Sequence, residues 1–270
     1  MQKQKSNIIE LTYLINGKDI ELLNPKFAQR NKGKYYFIND YFKTEEYIIS
    51  KSLGNDITVQ LTFSSEISDY SYMFANCPLV SLKAIFWDTS KVFDMGAMFE
   101  NCSILESIDI KFNLNTHNVK YMNSMFKNCK KIKNLPNISS WETKSLIYIN
   151  SMFEGCSNLT NMPDISKWET SFISNCSQMF RSCINLNTIP DLSRWNMSNI
   201  ESFDGMFFDC ISVVSLPNIN FSESKVLVPN QIFEGCISLS YLPENFYKSY
   251  DENIILYNID KCLNLNLSNI

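Results

Sequence analysis

The sequence predicts a repeat solenoid: a stack of similar chain turns with a parallel β face and one short helical turn per repeat, preceded by an N-terminal α+β cap. Three observations point to it. Cysteine recurs at Cys77, Cys102, Cys129, Cys156, Cys183, Cys210 and Cys236, at intervals of 25 to 27 residues. A fixed period of that length marks a stack whose units bury their apolar faces only against their neighbours. The first six of these cysteines each follow Met-Phe-x-x, and the seventh follows Ile232-Phe233. Downstream of each cysteine the apolar residues recur every three positions, as in Leu159, Met162, Ile165 and Trp168. That spacing is neither strand alternation nor a helical stripe, and fits a coil that sends a side chain inward at each bend.

The elements follow in order. Residues 1–66 lack the repeat cysteine and read as an N-terminal β-rich cap domain. Strands are expected at Ile8–Ile15 and Ile20–Leu23, flanking the hairpin signal Asn16-Gly17. Pro25–Arg30 can start a short helix, and Tyr35–Ile38, Tyr47–Ile49 and Ile57–Phe63 read as further strands. Residues 67–247 form about seven repeats. Six positions before the cysteines stand Ser71, Gly96, Asn123, Asn150, Ser177, Asp204 and Asn230, all types favoured at a helix N-cap. One position before stand Asn76, Asn101, Asn128, Gly155, Ser182, Asp209 and Gly235, mostly types that tolerate the left-handed conformation ending a helix. Hence one helical turn is expected between cap and stop. A short parallel strand is expected around Leu159–Ile165 and its equivalents, with Pro136, Pro163, Pro190, Pro217 and Pro243 at its end or edge. Cys262 continues the period without the caps or the phenylalanine, so residues 248–270 read as a degenerate C-terminal cap repeat.

The phrase Met-Phe-x-x-Cys-x-x-Leu-x-x-[Leu/Met/Ile]-Pro-[Asp/Asn]-[Ile/Leu]-Ser-x-Trp, as at Met152–Trp168, resembles the BspA-type leucine-rich repeat proteins. It is most similar to the branch with the LPDIS-W-TS-V-M-MF-C repeat, and the resemblance covers about residues 67–245. It implies a leucine-rich-repeat-like solenoid used for adhesion or protein recognition, and it brings no catalytic residues with it.

Composition narrows the function. The chain has 270 residues, 45% of them hydrophobic, enough to bury a large core. Net charge is −4 with no basic run, which argues against nucleic acid, and no apolar stretch is long enough to span a membrane. Residues 1–10 show no apolar signal core, so the expected location is cytoplasmic, or extracellular or cell-surface if the native start lies upstream. The nine cysteines read as reduced, buried thiols behaving as small apolar side chains. No Cys-x-x-Cys cluster suggests a metal. The single histidine, His117, sits in a polar turn, and no phosphate loop or catalytic motif accompanies it, so neither a cofactor nor an enzyme is expected. The phenylalanine ladder is assigned to core, and Trp141, Trp168 and Trp195 to core or edge packing rather than a binding strip.

One surface feature stands out. Asn137, Asp164, Asp191 and Asn218 follow the repeat prolines, with Asp109 as their counterpart in a repeat lacking the proline. Each can be a turn residue bonding its own backbone. Together they can also form an acidic and amide stripe that binds a protein or peptide partner.

Overall fold

The computed structural model describes residues 6–15, 19–39, 43–49 and 56–266. The Asn16-Gly17 turn expected from the sequence lies outside them. Strand β1 (Asn7–Leu14) sends Ile9, Leu11 and Tyr13 inward and Glu10 and Thr12 away, the alternation of a half-buried strand. Short β2 (Ile20–Glu21) pairs with β5 (Ile48–Ile49). Between them in the chain lie helix α1 (Pro25–Arg30), β3 (Tyr35–Ile38) and β4 (Lys43–Thr44). Helix α1 starts as its sequence suggests: Asn24 accepts the Lys26 N–H and Pro25 opens the first turn, where its missing donor costs nothing.

β1 is flanked on one side by β6 (Asp56–Phe63) and on the other by β7 (Leu79–Phe86), both antiparallel. β7 then pairs in parallel with β8 (Ser107–Asp109), so the six-stranded order is β4-β3-β6-β1-β7-β8. β7 and β8 belong to the first two repeats. The sheet therefore runs unbroken across residue 66, and the N-terminal segment shares one core with the stack.

The expected helical turn does not form. In the rung ending at Cys156, the N–H groups of Ser151, Phe153 and Gly155 donate to the carbonyls of Ser177, Met179 and Arg181 in the next rung at 2.8, 3.0 and 2.8 Å. The alternate N–H groups, of Met152, Glu154 and Cys156, donate back three residues within their own rung. A helix aims every N–H along its axis, whereas here successive peptides face opposite ways. Two left-handed residues per rung produce that flip, such as Ser151 at φ 56° and Gly155 at φ 70°. Every residue expected at the helix stop, from Asn76 to Gly235, has positive φ. The expected N-caps do not cap helices. Instead Asp69, Asp94 and Asn175, two positions earlier, accept the backbone N–H of Ser71, Gly96 and Ser177.

The expected strand after each cysteine forms only in the first two repeats, as β7 and β8. These are the repeats with Ala84 and Asp109 where later ones place Pro136, Pro163, Pro190 and Pro217. Proline removes the donor a ladder needs, and Leu159–Ile165 is coil, while the Pro217 repeat keeps an isolated parallel bridge from Ser215 to Tyr241. Continuous parallel pairing lies elsewhere, one residue per rung, through Asp69, Asp94, Tyr121, Tyr148, Asn175 and Ser202.

Four side-chain ladders fill the interior. Phe74, Phe99, Phe126, Phe153, Phe180 and Phe207 stack on one another with ring centroids 5.5 to 5.9 Å apart. Trp141, Trp168 and Trp195 stack nearly parallel, and the indole N–H groups of Trp168 and Trp195 donate to the carbonyls of Ile138 and Ile165. Eight of the nine cysteines are buried, and all nine are free thiols. Thr89, Thr116, Thr143 and Thr170 form a fourth ladder, buried and bonded to backbone of the following rung.

Both ends of the stack are closed. The carbonyls of Ser71, Met73 and Ala75 have no earlier rung; Arg30 donates to the first, the Asn24 backbone N–H to the second and the Asn24 amide to the third. Helices α2 (Glu244–Ser249) and α3 (Glu252–Asn258) cover the other end. Asn258, fully buried, accepts the Ile232 N–H and donates to Pro229. The degenerate eighth turn keeps much of the rung geometry: Lys261 has φ 62° and the Cys262 thiol bonds the Phe233 carbonyl.

Candidate interaction surface

An apolar void of about 10 Å³ lies where Leu114 stands in the tryptophan register between Trp87 and Trp141. A space that small and apolar stays dry. Phe112, two residues before Leu114, is partly exposed and not part of that ladder. The thiols are equally withdrawn: burial pushes Cys156 and Cys176 up to about 12, far from the thiolate needed for a nucleophile. His117 is half exposed, with Nδ1 3.1 Å from Glu142 Oε2 of the next rung. No hydroxyl or thiol is bonded to its ring; the nearby Ser145 Oγ donates instead to the His117 carbonyl. Among the described residues no group of His, Cys, Asp or Glu is placed to hold a metal ion. No helix among them is long and apolar enough to cross a membrane.

The surface stripe is partly one structure. Asn137, Asp164 and Asp191 are exposed, and each side chain accepts the backbone N–H of the serine two residues on, at 3.2, 2.9 and 2.9 Å. Those N–H bonds hold the carboxyls of Asp164 and Asp191 below the usual carboxylate range. Each residue therefore makes a local turn, which leaves a second carboxylate oxygen on Asp164 and Asp191 and the amide NH2 on Asn137. Asp191 and Asn218 line one open groove of about 400 Å³ with Thr188, Ser193 and Ser215. Asp109 stands apart: it is half buried in β8, paired in register with Lys83 and 3.8 Å from Lys111. Its repeat lacks the proline, so strand replaces the turn that the others share.

A second exposed feature escaped the sequence reading. On the bend where rungs pair one residue at a time, Tyr121 and Tyr148 stack at 5.8 Å. Both sit where other rungs place Asp or Asn, and only their exact spacing of one repeat could have marked them.

No curated protein matches the chain. Among solved structures, a leucine-rich repeat protein from Bacteroides ovatus is similar over 65% of this chain at 18% identity, with a TM-score of 0.18. The matched part spans 63% of that protein's chain. The family described as Mycoplasma protein of unknown function, DUF285, matches at residues 50–162 and again at 132–246, overlapping copies that together take in every cysteine rung but the last. The chain belongs to that family.

Proposed function

We propose that this protein is a non-enzymatic interaction module that presents one face of its stack to a protein or peptide partner. The observation that carries this reading is the division of labour between inside and outside. The Phe, Trp, Cys and buried Thr ladders all serve the stack, and the Asn and Asp side chains of the stripe lie in register on the surface. A solenoid is suited to such a role because it displays a long, continuous face without polar machinery in its core. The face we assign is the stripe Asn137, Asp164, Asp191 and Asn218 with its groove. We place the module in the cytoplasm, where free thiols persist. The second reading, a cell-surface or secreted adhesin, draws on the resemblance of the Met152–Trp168 phrase to BspA-type repeats.

The test removes charge but keeps the turn. Asp164→Asn with Asp191→Asn retains the oxygen that accepts the serine N–H, as Asn137 does now. Capture of partners by this double variant is expected to fall sharply with unchanged thermal stability. Undiminished capture would take the stripe out of the interface. Disulfides in the natively isolated protein, read by intact mass, would favour the adhesin.

A further inference from the structure

Charge is distributed unevenly along the stack. Residues 110–141 hold Lys111, Lys120, Lys127, Lys130, Lys131 and Lys133 and no aspartate or glutamate. Residues 142–270 hold 7 basic and 14 acidic residues, a balance of −7 against +6 for the preceding stretch. The basic stretch centres on the third rung. Lys127 is held by Glu154 at 2.9 Å and Lys131 by Glu106 at 3.1 Å, each acid reaching over from an adjacent rung. Lys130 and Lys133 are exposed, with no ion pair among the described residues. Lys131 and Lys133 line an open notch of about 370 Å³ with Glu106 of the second rung and Asn158 of the fourth.

We propose that this notch binds an acidic segment of a partner protein through Lys131 and Lys133, with Glu106 as a built-in competitor for Lys131. The inference rests on the interaction-module reading for the kind of occupant, but the site is separate from the stripe. Several observations select a short acidic peptide over a long polyanion. The lysines of the notch belong to one rung, roughly 5 Å deep in the stacking direction. Glu106 lines the notch on one side, and Glu154 of the following rung neutralises Lys127. A nucleic acid or an anionic membrane would extend over those acids and over Asp164 and Asp191 in a chain of net charge −4. Two or three adjacent carboxylates fit within the screening distance of about 8 Å at physiological salt. The Glu106–Lys131 pair is half exposed, so an incoming carboxylate can replace Glu106 at little desolvation cost.

The experiment is a titration of the full chain with a fluorescent hexaglutamate peptide and its hexaglutamine counterpart, at low and high salt. The glutamate peptide is expected to bind, weakening as salt rises, and the glutamine peptide is not. Lys131→Gln with Lys133→Gln should lower affinity about tenfold, while Glu106→Gln should raise it about two- to fivefold, the range that exposed ion pairs contribute. The gain on removing Glu106 cannot come from misfolding. Equal binding of the two peptides, no binding at millimolar peptide, or affinity unmoved by the lysine and Glu106 variants would each overturn the proposal. So would duplex DNA or phosphatidylglycerol vesicles binding in the peptide's place. Asp164→Asn with Asp191→Asn should leave this titration unchanged, so failure of the stripe and failure of the notch read out separately.

Discussion

The thiol of Cys183 donates to the carbonyl of Phe153, one rung earlier, at 3.1 Å, and that same carbonyl accepts the Cys156 N–H at 3.1 Å. The relationship repeats from Cys102 on Phe74 through Cys262 on Phe233. A carbonyl has two lone pairs, and each rung uses one within its own turn and offers the other to the next thiol. Cysteine at this position is thus an apolar filler that also joins rungs.

That dual role separates two substitutions. If the thiol only filled space, Cys183→Ser would be worse than Cys183→Ala, because it buries a hydroxyl. With a carbonyl facing it, serine keeps a donor where one is used. Cys183→Ala should cost about 1–2 kcal/mol from the lost bond and the small void. Cys183→Ser should cost no more. Urea midpoints decide it, and a serine variant clearly less stable than the alanine one would reduce the thiol to packing.

Stability should fall in alkali. Burial raises the thiol pKa values, to about 12 for Cys156 and Cys176 and about 11 for the partly exposed Cys262. Unfolded thiols titrate near ~8.5. Below that pH both states hold the proton and the contribution is fully present. Above it the unfolded chain releases protons first, so stability declines until the folded values are reached. Each buried thiol adds up to about 1.4 kcal/mol per pH unit to the slope. Thermal melts should therefore drop steeply from pH 9 upward, and Cys262 should be the first thiol modified. A flat profile to pH 11 would contradict the buried ladder.

Gly155 tests the rung's left-handed corner. A Cβ there would meet Asn128 Oδ1 at 2.3 Å, with φ at +70°. Earlier rungs place asparagine at this corner, and those amides bond in series, Asn101 to Asn76 and Asn128 to Asn101. The Asn128 amide is a movable tip, so Gly155→Asn should extend the series and stay within about 1 kcal/mol of the parent, since asparagine tolerates this region. Gly155→Val should cost more than about 2 kcal/mol, because a branched Cβ adds a genuine outlier to the clash. Equal stability of the two variants would mean the corner relaxes freely.

The period, the phenylalanine core and the stop residues were legible because each rests on a steric property of single side chains. Asn, Gly and Asp at the corner before cysteine announce positive φ. The matching corner four residues earlier is filled by Tyr72, Ala97, Ser124, Ser151, Gln178 and Gln231, none of which signals it, and by glycine only at Gly205. With only one corner visible, four residues between polar ends read as a helical turn. The prolines were visible as strand ends, but not that their repeats would lose the strand and keep only an isolated bridge such as Ser215 to Tyr241. For the stripe, Asp164 and Asp191 showed their turn role in sequence, while Asp109 stands at the proline position of its repeat, one residue short of the stripe. The lysine stretch was readable as counts, yet only the stacking shows which lysines lack an acid beside them.

The two ends of the stack carry the last prediction. Each rung takes its carbonyl partners from the rung before, so the first and last must find substitutes. Asn24 supplies two of the three donors that Ser71, Met73 and Ala75 would otherwise lack, and one of them is its side chain. Asn258 supplies an acceptor to Ile232 and a donor to Pro229 from a fully buried amide. Replacing Asn258 by leucine keeps the volume but strands both backbone groups, at about 1–3 kcal/mol each. Asn24→Ala strands the Ala75 carbonyl and also removes the N-cap of α1, about 1 kcal/mol more. In a stack, loss at an end need not unfold the middle, because neighbouring rungs still satisfy one another. Native-state hydrogen exchange should therefore show Asn258→Leu raising exchange in the rung of Cys236 while the rung of Cys156 keeps its protection. A uniform rise across all rungs would show that the stack unfolds only as a whole, and that its ends are no weaker than its centre.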